Sequence, residues 1–170
     1  DVYKRQLRSL THKEMPMFLE EKKKVIDAGI KLDRYGLISL AGGNVSARMP
    51  SGEILVTPSG MIYEEMEPND VLVMDSEGTI IEGTNKPSSD TEGILYIFKH
   101  RPDVMAAIHT HQPYATAISL IQDEFRADLT TVGNACGGNV KVTRYSSPGS
   151  VEMGMDTVEY LGLSLIHISE

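Results

Sequence analysis

Two short hairpin patterns, set between stretches of helical periodicity, limit what this chain can fold into more than any other feature. In LAGGNVSARMPSGEILVTPSG, Val45 and Ala47 alternate with polar neighbours, Ser51-Gly52 supplies a turn, and Ile54 to Val56 extend again. DVLVMDSEGTIIEG repeats the design, with Ser76-Glu77-Gly78 between two short apolar runs. A period of two on either side of a tight turn predicts antiparallel strands. Before the hairpins, Val25, Ile26, Ile30 and Leu32 recur at helical spacing within residues 17–35, and Gly36 ends the run. After them, Ile94, Leu95 and Phe98 return to the helical period, which stops before Pro102. Ser89 and Glu92 have capping-box spacing, so this second helix is predicted to begin at Ser89. Residues 104–111 predict an apolar strand, and Pro113 suits the first position of a further helix. Strands and helices that mix without regular βα alternation predict an α/β protein, its largely antiparallel sheet flanked by helices.

The 170 residues, 41% of them hydrophobic, suffice for one domain with a proper core. No apolar run reaches the roughly 18 residues of a membrane span, and no signal-peptide pattern opens the chain, so a cytoplasmic location is expected. Cys136 is the only cysteine, which excludes an internal disulfide and a cysteine metal cluster. A formal net charge of -8 excludes a global field that attracts nucleic acid or acidic membrane, so an anionic ligand must be held locally. The run Glu20-Glu21-Lys22-Lys23-Lys24 predicts a solvated helix face rather than a basic patch. The two ends, DVYKRQ and SLIHISE, resemble translated sequencing-adapter fragments. Residues 1–6 and 164–170 are therefore expected to be non-native, which would make His167 accidental.

With only five histidines in the chain, the pair in Ile108-His109-Thr110-His111 stands out. Side chains at i and i+2 of a strand share a face, so His109 and His111 are predicted to project together. Two imidazoles on one rigid face suit zinc, whose catalytic sites use three protein ligands and one open position. In Pro87-Ser88-Ser89-Asp90-Thr91, the free amides of a helix start and two hydroxyls can hold a phosphate without a lysine. Asp90 is there a base or metal neighbour in one reading, and a residue favouring the helix dipole in the other. Gly42-Gly43-Asn44 permits close backbone approach, and Ser59-Gly60 offers a hydroxyl and an amide in a turn. Uncharged donors thus recur in three loops of an acidic chain, as a small phosphorylated substrate requires.

GGNVSAR, TPSG, KPSSDT and HTH, in this order and at these spacings, resemble the class II aldolase and adducin family, which includes L-fuculose-phosphate aldolase and L-ribulose-5-phosphate 4-epimerase. The resemblance covers residues 17–162 and implies a three-layer α/β/α sandwich around a mainly antiparallel sheet. It further implies zinc or another divalent metal, and a cyclic homotetramer with active sites at subunit interfaces. Positions matching Gly43, Asn44, Ser59, Gly60, Ser88 and Ser89 would bind the substrate phosphate, those matching His109 and His111 would bind the metal, and Asp90 would lie beside it as the catalytic acid-base group. A Lewis acid that polarises a substrate oxygen replaces a Schiff-base lysine, and it serves both retro-aldol cleavage and epimerisation by bond breaking and rejoining.

Departures from the family pattern leave alternatives open. The family's third metal histidine is expected downstream of Gly162, so the domain is expected to be incomplete at its C-terminal end and inactive as it stands. Asp90 matches the epimerase, where the aldolase has glutamate; Thr130 stands at the aldolase's acid tyrosine and Asn134 at the epimerase's acid aspartate. A zinc-dependent aldolase acting on a ketose phosphate is the leading expectation. The 4-epimerase is the near alternative and a non-catalytic adducin-like interaction domain the distant one.

Overall fold

The computed structural model describes residues 16–161, apart from the side chains of Val132 and Ala135. The expectations for the two ends, and for His167, lie outside the described residues. Helix α1 (Leu19–Arg34) leads into the first hairpin, β1 (Asn44–Arg48) and β2 (Ile54–Val56). Two single-turn 3-10 segments precede the second hairpin, β3 (Leu72–Met74) and β4 (Ile80–Glu82). Helix α2 (Thr91–His100), strand β5 (Ala106–His109) and helix α3 (Pro113–Ser119) follow. A small second sheet, β6 (Glu124–Phe125) with β7 (Val140–Lys141), flanks α4 (Thr130–Cys136), and α5 (Val151–Leu161) closes the described chain.

The main sheet has the order β4-β3-β2-β1-β5, and every neighbouring pair is antiparallel. Alternation along its strands divides the core into two. Val45, Leu55 and Val73 face α1 and pack on Val25, Ile26 and Leu32. Ile54, Val56, Leu72 and Met74 face the other way and pack on Ile94 and Phe98 of α2. Helices therefore cover both faces of an antiparallel sheet, and the architecture is the three-layer α/β/α sandwich. Both hairpins, α1 and α2 lie where the hydrophobic period puts them, whereas α5 is not among the expected elements.

Close contacts explain two helical glycines. Gly29 sits mid-helix in α1, where glycine is unfavourable by about 1 kcal/mol. A Cβ there would stand 1.9 Å from the ring of Tyr63, which is itself only 3% exposed. On the other face, a Cβ on Gly154 of α5 would lie 2.4 Å from the carbonyl oxygen of Gly93 in α2. The two helix backbones thus approach more closely than any larger residue allows. Arg48, at the end of β1, donates from Nη2 to the carbonyls of Phe98 and Arg101, placing a positive charge on the negative end of the α2 dipole.

Two local readings need correction. The second helix starts at Thr91 with Asp90 as its N-cap, and the Ser89–Glu92 capping box does not form. Ser88 does the capping work instead: its carbonyl accepts from the Thr91 amide and hydroxyl, and its Oγ accepts from the Asp90 amide. Lys22 does not belong to a solvated face, because it is 0% exposed and paired with Glu82 of the edge strand β4. A buried ammonium needs such a partner, and the pair ties α1 to the sheet's outer edge.

Asp156 of α5 is 1% exposed and accepts both a two-pronged bond from Arg144 and a 2.9 Å bond from Ser146 Oγ. The Arg144 bonds and charge, aided by Ser146, hold its carboxyl below the ordinary value of 3.8 despite burial. A carboxylate with a lowered folded value stabilises the fold above its unfolded value and loses that contribution on acidification. Asp156→Asn should therefore lower stability to urea at pH 7, and its deficit relative to the parent should shrink as pH falls below 3.8. A deficit independent of pH would show that the charge is not what matters. Gly154→Ala should cost about 1–3 kcal/mol in the same measurement by forcing α5 from α2; an unchanged midpoint would contradict the close approach.

Candidate active site

One end of the sheet gathers the chemistry. Strands β1 and β5 pair with Asn44 opposite His109, so the glycine loop before β1 and the histidine pair at the end of β5 are brought side by side. Gly43 has φ +68, and a Cβ on it would lie 2.5 Å from the carbonyl oxygen of His109. Only glycine fits between the loop and the strand. The loop after β2 joins the same end through a bridge between Pro58 and Pro87 and a bond from the Ser59 amide to the Lys86 carbonyl. A further bond from the Ser88 amide to the Thr57 carbonyl places Ser88, Ser89 and Asp90 beside Ser59 and Gly60.

These loops surround a cavity of about 550 Å³. Gly43, Ser59, Gly60, Ser88, Ser89, Asp90, His109 and His111 all line it. Asn44 is the exception among the expected site residues: it lies behind the wall, 1% exposed, and donates from Nδ2 to Asp90 Oδ2 at 2.7 Å. Thr130 and Asn134 are exposed on α4 and do not reach the cavity.

The histidine pair converges as expected, although β5 ends at His109 and His111 lies just beyond it. The His111 amide bonds to the Leu37 carbonyl, and the two Nε2 atoms stand 3.0 Å apart. Two nitrogens on a tetrahedral zinc, each about 2.05 Å from it, are separated by roughly 3.3 Å. The pair therefore fits one metal ion with little adjustment. Asp90 Oδ2 is 4.0 Å from His109 Nε2. Burial pushes the His109 imidazole below its ordinary value and His111 adds to this, while Asp90 opposes it. The net result favours the neutral ring, which is the form that binds metal. Among the described residues, no group of three or more His, Cys, Asp or Glu side chains is arranged to hold a metal.

Ser146, Pro148 and Met153 form a cavity wall that the sequence motifs did not indicate. This wall is held against Ser89, whose carbonyl a Cβ on Gly149 would meet at 3.0 Å. The Pro-Gly in SSPGS signals a turn, but nothing local tells that the turn faces residues nearly 60 positions earlier.

Comparison with known proteins agrees with this geometry. An L-ribulose-5-phosphate 4-epimerase of Salmonella paratyphi B is 36% identical over 132 residues, covering 77% of this chain and 58% of that protein. A 5-deoxy-D-ribulose 1-phosphate aldolase of Bacillus thuringiensis serovar kurstaki is 33% identical over 135 residues, covering 79% and 63%. The chain thus spans about three-fifths of the length of these relatives. Among solved structures, an L-fuculose 1-phosphate aldolase superposes with a TM-score of 0.84 at 27% identity, over 92% of this chain and 74% of that one. The profile of the Class II Aldolase and Adducin N-terminal domain matches residues 23–168, and the chain belongs to that family.

Proposed function

We propose that this protein is a zinc-dependent sugar-phosphate aldolase, cleaving a ketose phosphate such as L-fuculose 1-phosphate to dihydroxyacetone phosphate and an aldehyde. The observation that carries the reading is the meeting of His109 and His111 Nε2 at 3.0 Å on the wall of a cavity that Asp90 and the hydroxyls of Ser59, Ser88 and Ser89 also line. His109 and His111 would hold the metal, which when bound supplies Lewis acidity toward a substrate oxygen. Gly43, Ser59, Gly60, Ser88 and Ser89 surround the place for a phosphate without formal charge, Ser59 and Ser88 through their hydroxyls because their amides are bonded to Lys86 and Thr57. Asp90, beside the histidines and next to Ser89, takes and returns the proton as the carbon–carbon bond breaks. The Asp90 carboxylate keeps its orientation through bonds from Asn44 Nδ2 and, at 3.3 Å, from Ser89 Oγ.

A 4-epimerase is the second reading. Asp90 and the 36% identity to an epimerase favour it, and the same residues would serve its bond-breaking step. The presence of both histidines and Asp90 supports an enzyme over an adducin-like binding domain. Around α3, Tyr114, Leu120 and Ile121 are exposed at 78, 70 and 77%, which supports packing against further copies in the proposed homotetramer. No described helix is long and apolar enough to cross a membrane; the proposed setting is the cytoplasm, and the names of the relatives support a sugar phosphate as the proposed partner.

Calorimetric titration with zinc should show binding that His109→Ala and His111→Ala each weaken by about 100-fold or more, since even losing a residue that only supports a ligand costs 10–100-fold. Binding unaffected by either change would place the metal elsewhere. In the zinc-loaded full-length protein, Asp90→Asn keeps the size of the side chain and removes its basicity, so solvent exchange of the ketose phosphate's α-proton should fall by about 10²-fold. Unchanged exchange with zinc bound eliminates Asp90 as the base. Interconversion of pentulose phosphates at C4 without release of an aldehyde would establish the epimerase instead.

A further inference from the structure

The wall of Ser146, Pro148 and Met153 contributes a hydroxyl whose proton is already committed. Ser146 lines the cavity and is 8% exposed. Its Oγ stands 2.9 Å from Oδ2 of the buried Asp156, which also accepts from Arg144 Nε at 3.1 Å and from Arg144 Nη2 at 2.9 Å. Bonds from Arg144 hold the Asp156 carboxyl below its ordinary value, so it is ionised at neutral pH. An ionised carboxylate can only accept, and Ser146 Oγ must therefore be the donor. What Ser146 Oγ has left for a ligand is its lone pairs, which accept. Ser88, on the same cavity, has the opposite arrangement: its Oγ accepts from the Asp90 amide and keeps its own proton. A phosphate oxygen needs donors, whereas a sugar hydroxyl can give its proton to an acceptor.

The turn that carries Ser146 has little freedom to reverse this polarity. The Ser150 amide bonds to the Ser147 carbonyl at 3.1 Å, and a Cβ on Gly149, at φ +77, would stand 3.0 Å from the Ser89 carbonyl oxygen. Asp156 holds the same turn from α5. We infer that Ser146 is a specificity-determining residue, which accepts a hydrogen bond from one hydroxyl of the sugar and gives none to the phosphate. This role rests on the reading of the cavity as a sugar-phosphate site. Phosphate goes to groups with protons on offer, and the buried Arg144-Asp156 pair, reaching the cavity from outside the motif loops, marks where the sugar chain must present a hydroxyl.

Calorimetric titration of the zinc-loaded full-length protein with inorganic phosphate, L-fuculose 1-phosphate and L-ribulose 5-phosphate tests this role. Ser146→Ala leaves Asp156 its bonds from Arg144, so the variant should fold. It should weaken whichever ketose phosphate the parent binds more tightly by about tenfold, as expected for one lost hydrogen bond, and change the affinity for inorganic phosphate by less than about twofold. A loosened wall would also weaken sugar binding, so the monodeoxy analogues of that ketose phosphate are the decisive probes. The analogue lacking the hydroxyl that Ser146 accepts from should bind parent and variant within about twofold of each other, while the others keep the difference of about tenfold. An equal loss for every analogue means that no single hydroxyl is read and overturns the inference. So does unchanged affinity for the ketose phosphate. A loss of inorganic phosphate affinity as large as that for the sugar also overturns it, because Ser146 would then be a phosphate donor. Phosphate binding without binding of either ketose phosphate would instead sink the sugar-phosphate reading of the cavity, and the role of Ser146 with it.

Discussion

The antiparallel pairing of β1 with β5 is the constraint on which the site depends. Its register sets Asn44 opposite His109, and because side chains alternate along a strand, a slip of one residue would turn His109 out of the cavity and Ile108 into it. The same register draws the Gly42-Gly43 loop against the His109 carbonyl, where no side chain fits. Backbone pairing thus determines where the two histidine nitrogens stand. The side chains at the site inherit their geometry from the sheet.

Two rigid attachments carry that geometry outward. The first joins the loops after β2 and before α2, through Pro58 to Pro87, Ser59 to Lys86 and Ser88 to Thr57, so that the donors expected around a phosphate come from segments held by backbone bonds. The second runs from Asn44 to Asp90 and links the start of β1 to the start of α2. An acidic chain can place donors without lysine or arginine in this way, because amides and hydroxyls at loop ends act locally, whereas its net charge acts over the whole surface.

Period and turn chemistry made the hairpins, helices α1 and α2 and the histidine pair legible in the sequence, because each depends on residues within a few positions of one another. Lys22 shows the limit of such reasoning. Its neighbours Glu20, Glu21, Lys23 and Lys24 all suggest a solvated face, but its fate is set by Glu82, sixty positions away on an edge strand. Gly29 likewise reads locally as a weak point in a helix, and only the ring of Tyr63 explains it. Ser89 carries the spacing of a capping box, yet Ser88 takes the capping role because its backbone is already tied to Thr57. In each case a tertiary contact outweighs a local preference worth about 1 kcal/mol.

The cavity wall of Ser146, Pro148 and Met153 follows from the same balance. A Cβ on Gly93 would touch Met153 Cε at 2.8 Å, and one on Gly154 would strike the Gly93 carbonyl, so two glycines allow α5 to lie directly on α2. That approach brings Met153 and the preceding turn to the cavity, while Asp156 holds Ser146 and Arg144 from the helix behind. The wall is therefore as well supported as the histidine side, although it derives from a separate helix and loop. The sheet positions the histidine pair, and the packing of two helices supplies the surface opposite it. A change in the 146–153 segment can therefore reshape the cavity without moving His109, His111 or Asp90.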